Sequence, residues 1–333
     1  MTEGLSAIGD VLAQVDKALS EGTTAAAQVW PTGFDPLDTY LGGGLRSGEL
    51  ALLGGPQGLG KTTFALQVMR NVVAGGGCGV YFSYEHDATT VLERLVALEA
   101  SELEGFEAVP VRRIRQAMEA GDGHMGSLEE RLRNAPGGTA AVQAVREYAE
   151  RLFVHRSSGG TTSSEVIREV IQTTRDRCGR VPLVVIDYLQ KVAVPDSSLV
   201  EEERVTRIVE SLKDLALDLQ IPLLAVVAAD REGLKSGKRL RVHNLRGSSA
   251  LAYEADVVLL MNDKYDVVAR HHLVFGTANA ERFHDYAVVS IEKNRTGLDK
   301  IDLEFAKRFE QARFESIGRP VAEQLVDERV FIE

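Results

Sequence analysis

The stretch Gly55-Pro56-Gln57-Gly58-Leu59-Gly60-Lys61-Thr62 follows the pattern G-x-x-x-x-G-K-[ST], a loop whose backbone N–H groups turn inward around phosphate oxygens. In such a loop Lys61 brings a point charge to the β and γ phosphates, and the Thr62 hydroxyl is placed to ligate Mg²⁺. Working outward, residues 49–54 read as a short buried strand and residues 62–73 as the helix that follows. That order aims the positive end of the helix dipole at the phosphates. Residues Gly55 to Thr62, with Thr63 beside them, are the expected nucleotide contacts, and ATP with Mg²⁺ is the expected ligand.

Beyond the loop, apolar β-type runs at 49–54, 79–84, 182–187, 222–228 and 256–261 alternate with amphipathic helical stretches. This predicts an α/β fold with a mostly parallel sheet covered by helices on both faces. The helix at 200–220 carries Val205, Ile208, Val209, Leu212, Leu215, Ala216 and Leu219 on one face, as a helix lying on a sheet requires. Ser198-x-x-Glu201 and Thr162-x-x-Glu165 read as capping boxes. Residues 105–150 read as a polar helical excursion on the sheet, without chemistry. After about residue 285 two antiparallel strands are expected, joined by a turn at Asn294–Asp299. Leu5, Ile8, Leu12, Val15 and Leu19 form a narrow apolar stripe on a helix over residues 3–20. It reads as an arm that docks elsewhere, with an ordinary surface helix as the alternative. The resulting division is 1–29 arm and joint, 30–316 core, and 317–333 an extension of unread role.

Two strands end in acids. The run Val181–Asp187 closes on a carboxylate where Mg²⁺ hydration needs one, which makes Asp187 a metal-site residue beside Thr62, or else a cap of the following segment. Tyr81-Phe82-Ser83-Tyr84-Glu85 ends on the same rim of a parallel sheet, so Glu85 is the candidate base for the attacking water, or else a rim residue. Lys293 and Arg295 sit at a hairpin tip. In a ring they could reach a neighbour's nucleotide as an arginine finger, an effect of about 10³–10⁵ in rate; alone, two basic residues at a turn read as a solvated tip. The stretch from Gly233 to Tyr253 lacks acids and gathers Lys235, Lys238, Arg239, Arg241 and Arg246. It reads as a phosphate-tracking loop for nucleic acid, or as a solvated charge run.

The 333 residues, 44% of them hydrophobic, can bury a large core. A net charge of −11 argues against a surface coated with nucleic acid, while leaving room for a local basic channel. Cys78 and Cys178 stand far apart in sequence, without C-x-x-C spacing, so neither a disulfide framework nor a zinc site is expected. The N-terminus lacks a signal-peptide pattern and no apolar run approaches ~18 residues, so a soluble, cytoplasmic protein without membrane contact is expected.

From about Pro31 to Ser316 the chain resembles the C-terminal RecA-like ATPase domain of the DnaB-type replicative hexameric DNA helicases. The resemblance rests on the ordered series Thr32–Asp38, Gly42–Leu50, the phosphate loop, Phe82–Glu85, Val185–Gln190, Leu212–Ala216, Leu245–Ser249 and Ile291–Arg295. It implies phosphate and Mg²⁺ binding by Lys61 and Thr62, Asp187 as the Walker B acid, and Glu85 activating water. Lys293 and Arg295 match the pair sent into the adjacent subunit's site, Arg246 matches a single-stranded DNA contact, and the first helix is similar in position to the family's ring-closing linker. Departures are Val227-Ala228 where the family carries a polar Ser-Gln pair, and Gly247 and Ser249 where it carries an acid and a glycine. The family's N-terminal collar domain has no counterpart here, so a core without that docking module is expected.

The leading expectation is an ATP hydrolase acting as a DNA helicase or translocase in replication, with itself (a hexamer), single-stranded DNA and an unidentified replication or repair protein as partners. The alternative is a nucleotide-gated oligomeric adaptor that has lost unwinding. A small-molecule phosphotransferase lacks any acceptor motif.

Overall fold

The computed structural model describes residues 6–22, 28–119, 125–196, 198–230, 233, 237–247, 249–274 and 280–328. The predicted buried runs form one sheet. Its strands are β1 (Leu50–Gly55), β2 (Cys78–Ser83), β3 (Leu152–Arg156), β4 (Pro182–Asp187), β5 (Leu223–Ala228), β6 (Val257–Asp263), β7 (Tyr286–Asn294), β8 (Ile301–Arg308), β9 (Arg313–Phe314) and β10 (Arg319–Pro320). The spatial order is β9-β8-β7-β6-β1-β5-β4-β2-β3, with β10 also paired to β8. Strands β3 to β6 on this path are mutually parallel, and β7 onward are antiparallel. Strand β3 escaped the sequence reading because it is a half-buried edge strand following a polar helical stretch.

Both faces of the parallel part are covered, which is why its strands read as continuous apolar runs. In β1, Ala51 and Leu53 enter one core and Leu50 and Leu52 the other. The first core packs against α2 (Lys61–Ala74), α3 (Ala88–Glu104), α4 (Val111–Met118) and α5 (Gly138–Tyr148); the second against α6 (Ser164–Cys178) and α7 (Glu201–Leu219). The expected face of α7 is buried from Val205 to Ala216. Ile114, Leu132, Val142 and Val145 of the helical excursion join the first core. A cluster of Phe34, Phe64, Phe305 and Phe314, with Phe34 and Phe64 stacked at 4.1 Å, ties α2 to the antiparallel strands.

The helix expected over residues 3–20 is α1 (Ile8–Ser20), and none of its described residues is buried; Leu5 lies outside the described residues. Among the described residues no helix is long and apolar enough to cross a membrane.

Three local expectations need correction. Helix α7 is capped by Val200 rather than Ser198, whose hydroxyl turns back to Asp196 at 2.6 Å. Helix α6 starts after Ser163, and the Thr162 hydroxyl accepts instead from the Ser158 N–H. Cys78 and Cys178 do form a disulfide, with Cα atoms 6.4 Å apart. Sequence separation misled because β2 pairs with β4 so that Cys78 lies opposite Pro182, four residues beyond the end of α6. The extension after residue 317 is tied down as well: Glu323 pairs with the buried Lys264 at 2.7 Å, and the Asp327 carbonyl accepts from the Arg239 N–H.

Candidate nucleotide site and its rim

The period of two along a strand decides which side chains meet at the phosphate loop. Leu183 and Val185 of β4 face the core that holds α2, so Asp187, two residues on, faces α2 as well. There the Thr62 hydroxyl donates to Asp187 Oδ2 at 2.7 Å, and the hydroxyl of the fully buried Tyr81 donates to the same oxygen at 2.7 Å. Burial first, and then the Asp187 charge, push the Tyr81 phenol well above its ordinary pKa, so it remains a donor. The loop itself turns at Gly58 and Gly60, with φ of +80° and +89°, values that favour glycine. The Lys61 ammonium donates to the carbonyls of Gly55 and Pro56 at 2.7 and 2.8 Å. Burial lowers its pKa, partly offset by Asp187 and Glu85.

Gly55, Gly58, Gly60, Lys61, Thr62 and Asp187 line a 580 Å³ cavity that Glu85, His86, Arg94, Arg115, Arg246 and Phe309 also border. Glu85 is half exposed, and Lys191 Nζ stands 3.5 Å from its carboxylate. The sequence reading missed Arg94 and Arg115. The Arg94 guanidinium lies 3.4 Å from the Thr63 hydroxyl, and among the described residues no carboxylate pairs with it. Arg115 donates to Glu93 at 2.9 Å and belongs to the excursion that was read as free of chemistry. No periodic signal marks either residue, since each is simply a polar position on an amphipathic helix. His86 is shifted below its ordinary pKa by burial and then by Arg94.

A triphosphate with Mg²⁺ fits this donor set. The loop leaves open space over Gly58, where a Cβ would meet nothing within 4 Å. Thr62 and Asp187 together present hard oxygen donors. Among the described residues no cluster of three His, Cys, Asp or Glu side chains is arranged for a metal, and Mg²⁺ characteristically takes only one or two protein carboxylates beside phosphate oxygens and water.

Lys293 and Arg295 do not border this cavity. They lie where β7 ends, opposite the start of β6, on the rim at which the parallel strands begin. There Lys293 donates to the Ala252 carbonyl at 2.7 Å and Arg295 to the Tyr253 carbonyl at 2.6 Å. Burial and then Arg295 lower the Lys293 pKa.

The basic stretch is only partly available, which corrects the picture of an open tracking loop. Arg239 is buried and paired with Asp302, while Arg241 is held between Glu292 and Asp327, each at 2.6 Å. Sequence counting could not see these acids, because they come from the antiparallel strands and the extension. Arg246 is half exposed, paired with Glu201 at 2.7 Å. Lys238 is half-buried, and Lys235 lies outside the described residues. Gln190, which is buried, joins the two regions: it accepts from the Ala228 N–H at 3.2 Å and donates to the Arg246 carbonyl at 2.9 Å.

Residues 30–316 match the family model of the DnaB-like helicase C terminal domain. The chain is 27% identical over 232 residues to the replicative DNA helicase DnaB of Haemophilus influenzae, and 28% identical over 232 residues to that of Buchnera aphidicola. Each alignment covers 69% of this chain and 45% of the relative, so the chain spans about half the length of the curated relatives it matches. A solved ATPase domain superposes with a TM-score of 0.71 at 20% identity, covering 93% of this chain and 98% of that one. A DnaB-like replicative helicase, described with its interactions with primase, also superposes with a TM-score of 0.71 at 20% identity, covering 92% and 68%. At that identity the superpositions establish a shared RecA-like fold. With the family model matching most of its length, the chain belongs to the DnaB-like helicase C-terminal domain family.

Proposed function

We propose that this chain is the motor core of a ring-forming, ATP-dependent DNA helicase or translocase that hydrolyses Mg-ATP at junctions between copies and follows single-stranded DNA. One observation carries the reading: the gripping and water-activating groups Lys61, Thr62, Asp187 and Glu85 share one cavity, whereas Lys293 and Arg295 are on the opposite rim. The length of β1, roughly 17 Å of strand, separates the two rims. The basic pair therefore has no route to its own nucleotide, and a second copy supplies the natural target.

In this reading the loop N–H groups and Lys61 would hold the β and γ phosphates, and Thr62 and Asp187 would hold Mg²⁺. Mg²⁺, when bound, neutralises phosphate charge. Glu85 orients the attacking water and takes its proton. Arg94 adds a cis cation near Thr63, and Arg295 of a neighbouring copy, beside Lys293, completes the charge balance. Arg246, with Lys238, contacts the DNA backbone. Gln190 passes a shift at the end of β5 to Arg246, a link that Ala228 has no polar side chain to make. The exposed apolar stripe of α1 docks on the neighbour.

Mixing Lys61→Ala with Arg295→Ala protein tests the shared junction. Each variant alone should be inactive, and mixed rings should regain ATP turnover at junctions formed by the intact grip of one copy and the intact finger of the other. No recovery in mixed rings that assemble normally contradicts the reading.

A second reading, a nucleotide-gated oligomeric adaptor without unwinding, is favoured by the internal ion pairs of Arg239 and Arg241. Strand displacement with ATPase stimulation by single-stranded DNA supports the motor. ATPase that ignores DNA supports the adaptor.

A further inference from the structure

Glu85 borders two cavities. One is the nucleotide cavity; the other, about 690 Å³, opens beside it and is lined by Ser83, Asp87, Arg156, Ser157 and Lys191. Lys191 borders only the second. Two contacts hold its ammonium: the Glu85 carboxylate at 3.5 Å and the ring of Tyr188, a residue lining the first cavity, 5.0 Å from the centroid. The carboxylate that must reach the attacking water is thus drawn toward the wall of the neighbouring cavity.

We propose that Lys191 is a positioning residue for Glu85, a latch that holds the carboxylate away from the nucleotide and so sets a low resting rate of hydrolysis. This rests on the reading of Glu85 as the base. Both partners are partly exposed, Lys191 at 38% and Glu85 at 48%. Water weakens such a pair to a modest value, which makes the latch easy to open by any movement of the short segment Leu189–Lys191. That segment also carries Gln190, bonded to both Ala228 and Arg246. A displacement at Arg246 is therefore transmitted one residue along the chain to the latch.

The test uses the full chain with three substitutions. Lys191→Met should raise basal kcat about two- to fivefold, the span that a partly exposed ion pair is worth, with KM for ATP and the affinity for a fluorescent ATP analogue unchanged. Lys191→Arg, which keeps the charge, should return kcat to near the parent value. A purely structural role would change thermal stability or KM instead. Independently of turnover, acetic anhydride labelling of Lys191, read by peptide mass spectrometry, should rise in Glu85→Gln because the amine loses its carboxylate. Unchanged labelling, or a Lys191→Met kcat equal to or below the parent, overturns the latch. If Glu85→Gln itself turns over at the parent rate, the assignment of the base fails, an outcome distinct from failure of the latch alone.

Discussion

Asp187 is the residue on which the site converges, since one of its oxygens accepts from both Thr62 and Tyr81. The two donors contribute differently. Tyr81→Phe removes a buried hydroxyl but leaves the carboxylate in position, so it should cost about 1–2 kcal/mol of stability and leave kcat within about tenfold of the parent. Asp187→Asn keeps the shape and loses the charge, and should lower kcat by about 10²-fold or more. Denaturant titration and steady-state ATPase assays separate the two; equal kinetic defects would contradict the division. A second expectation concerns pH. Burial depresses the pKa of both His86 and His155 below the ordinary 6.5. Between the folded-state value and 6.5 the unfolded chain binds more protons, so stability rises with pH through that window and is lost on acidification below 6.5. The thermal midpoint should fall less steeply from pH 7 to pH 5.5 in His86→Gln/His155→Gln than in the parent, and parallel curves would refute this.

At the scale of elements, α2 is fastened to α3 by a bidentate pair in which Arg70 donates to both oxygens of Glu99, at 2.6 and 2.5 Å. The Glu99 side chain is only 4% exposed. Removing it leaves the largely buried Arg70 without its carboxylate, with only the Asn71 side chain still accepting from it at 3.1 Å, so Glu99→Ala should destabilise by about 3–5 kcal/mol, measured by chemical denaturation; a loss below about 1 kcal/mol would mean that the pair is solvated. Because α2 begins at Lys61 and α3 carries Arg94, this clamp also sets the spacing of two walls of the cavity at the glycine loop. The aromatic cluster of Phe34, Phe64, Phe305 and Phe314 does the same on the other side, seating the strands that bring Phe309 to the loop.

For the whole molecule, the disulfide between Cys78 and Cys178 closes a loop spanning 100 residues. In the chain-entropy account such a link is worth about 4–5 kcal/mol, so reduction should lower the thermal midpoint by several degrees. Two free thiols in unreduced protein would contradict the pairing. The loop contains β2, α3, the helical excursion, β3 and α6, so it encloses the segment that supplies Glu85, Arg94 and Arg115 to the cavity. The charge distribution is equally a property of the whole. In a chain of net charge −11, the acids of β7, β8 and the extension neutralise Arg239 and Arg241 and leave Arg246 nearer the solvent.

The phosphate loop, the acid-ended strands and the parallel α/β architecture are legible in the sequence, because each is a short-range pattern. Buried parallel strands must be apolar throughout, a triphosphate loop needs glycine at fixed offsets, and Asp187 follows from the period of two. The pairing of Cys78 with Cys178, the wall residues Arg94 and Arg115, the ion pairs that occupy the basic stretch, and the placing of Lys293 and Arg295 across the sheet from the cavity were decided by the tertiary structure alone. Each depends on the sheet order, which brings together residues far apart in the chain, such as Leu50 and Asp256, 206 positions apart. The free energy of those meetings comes from packing and charge pairing between elements, and no local spacing in the chain encodes it.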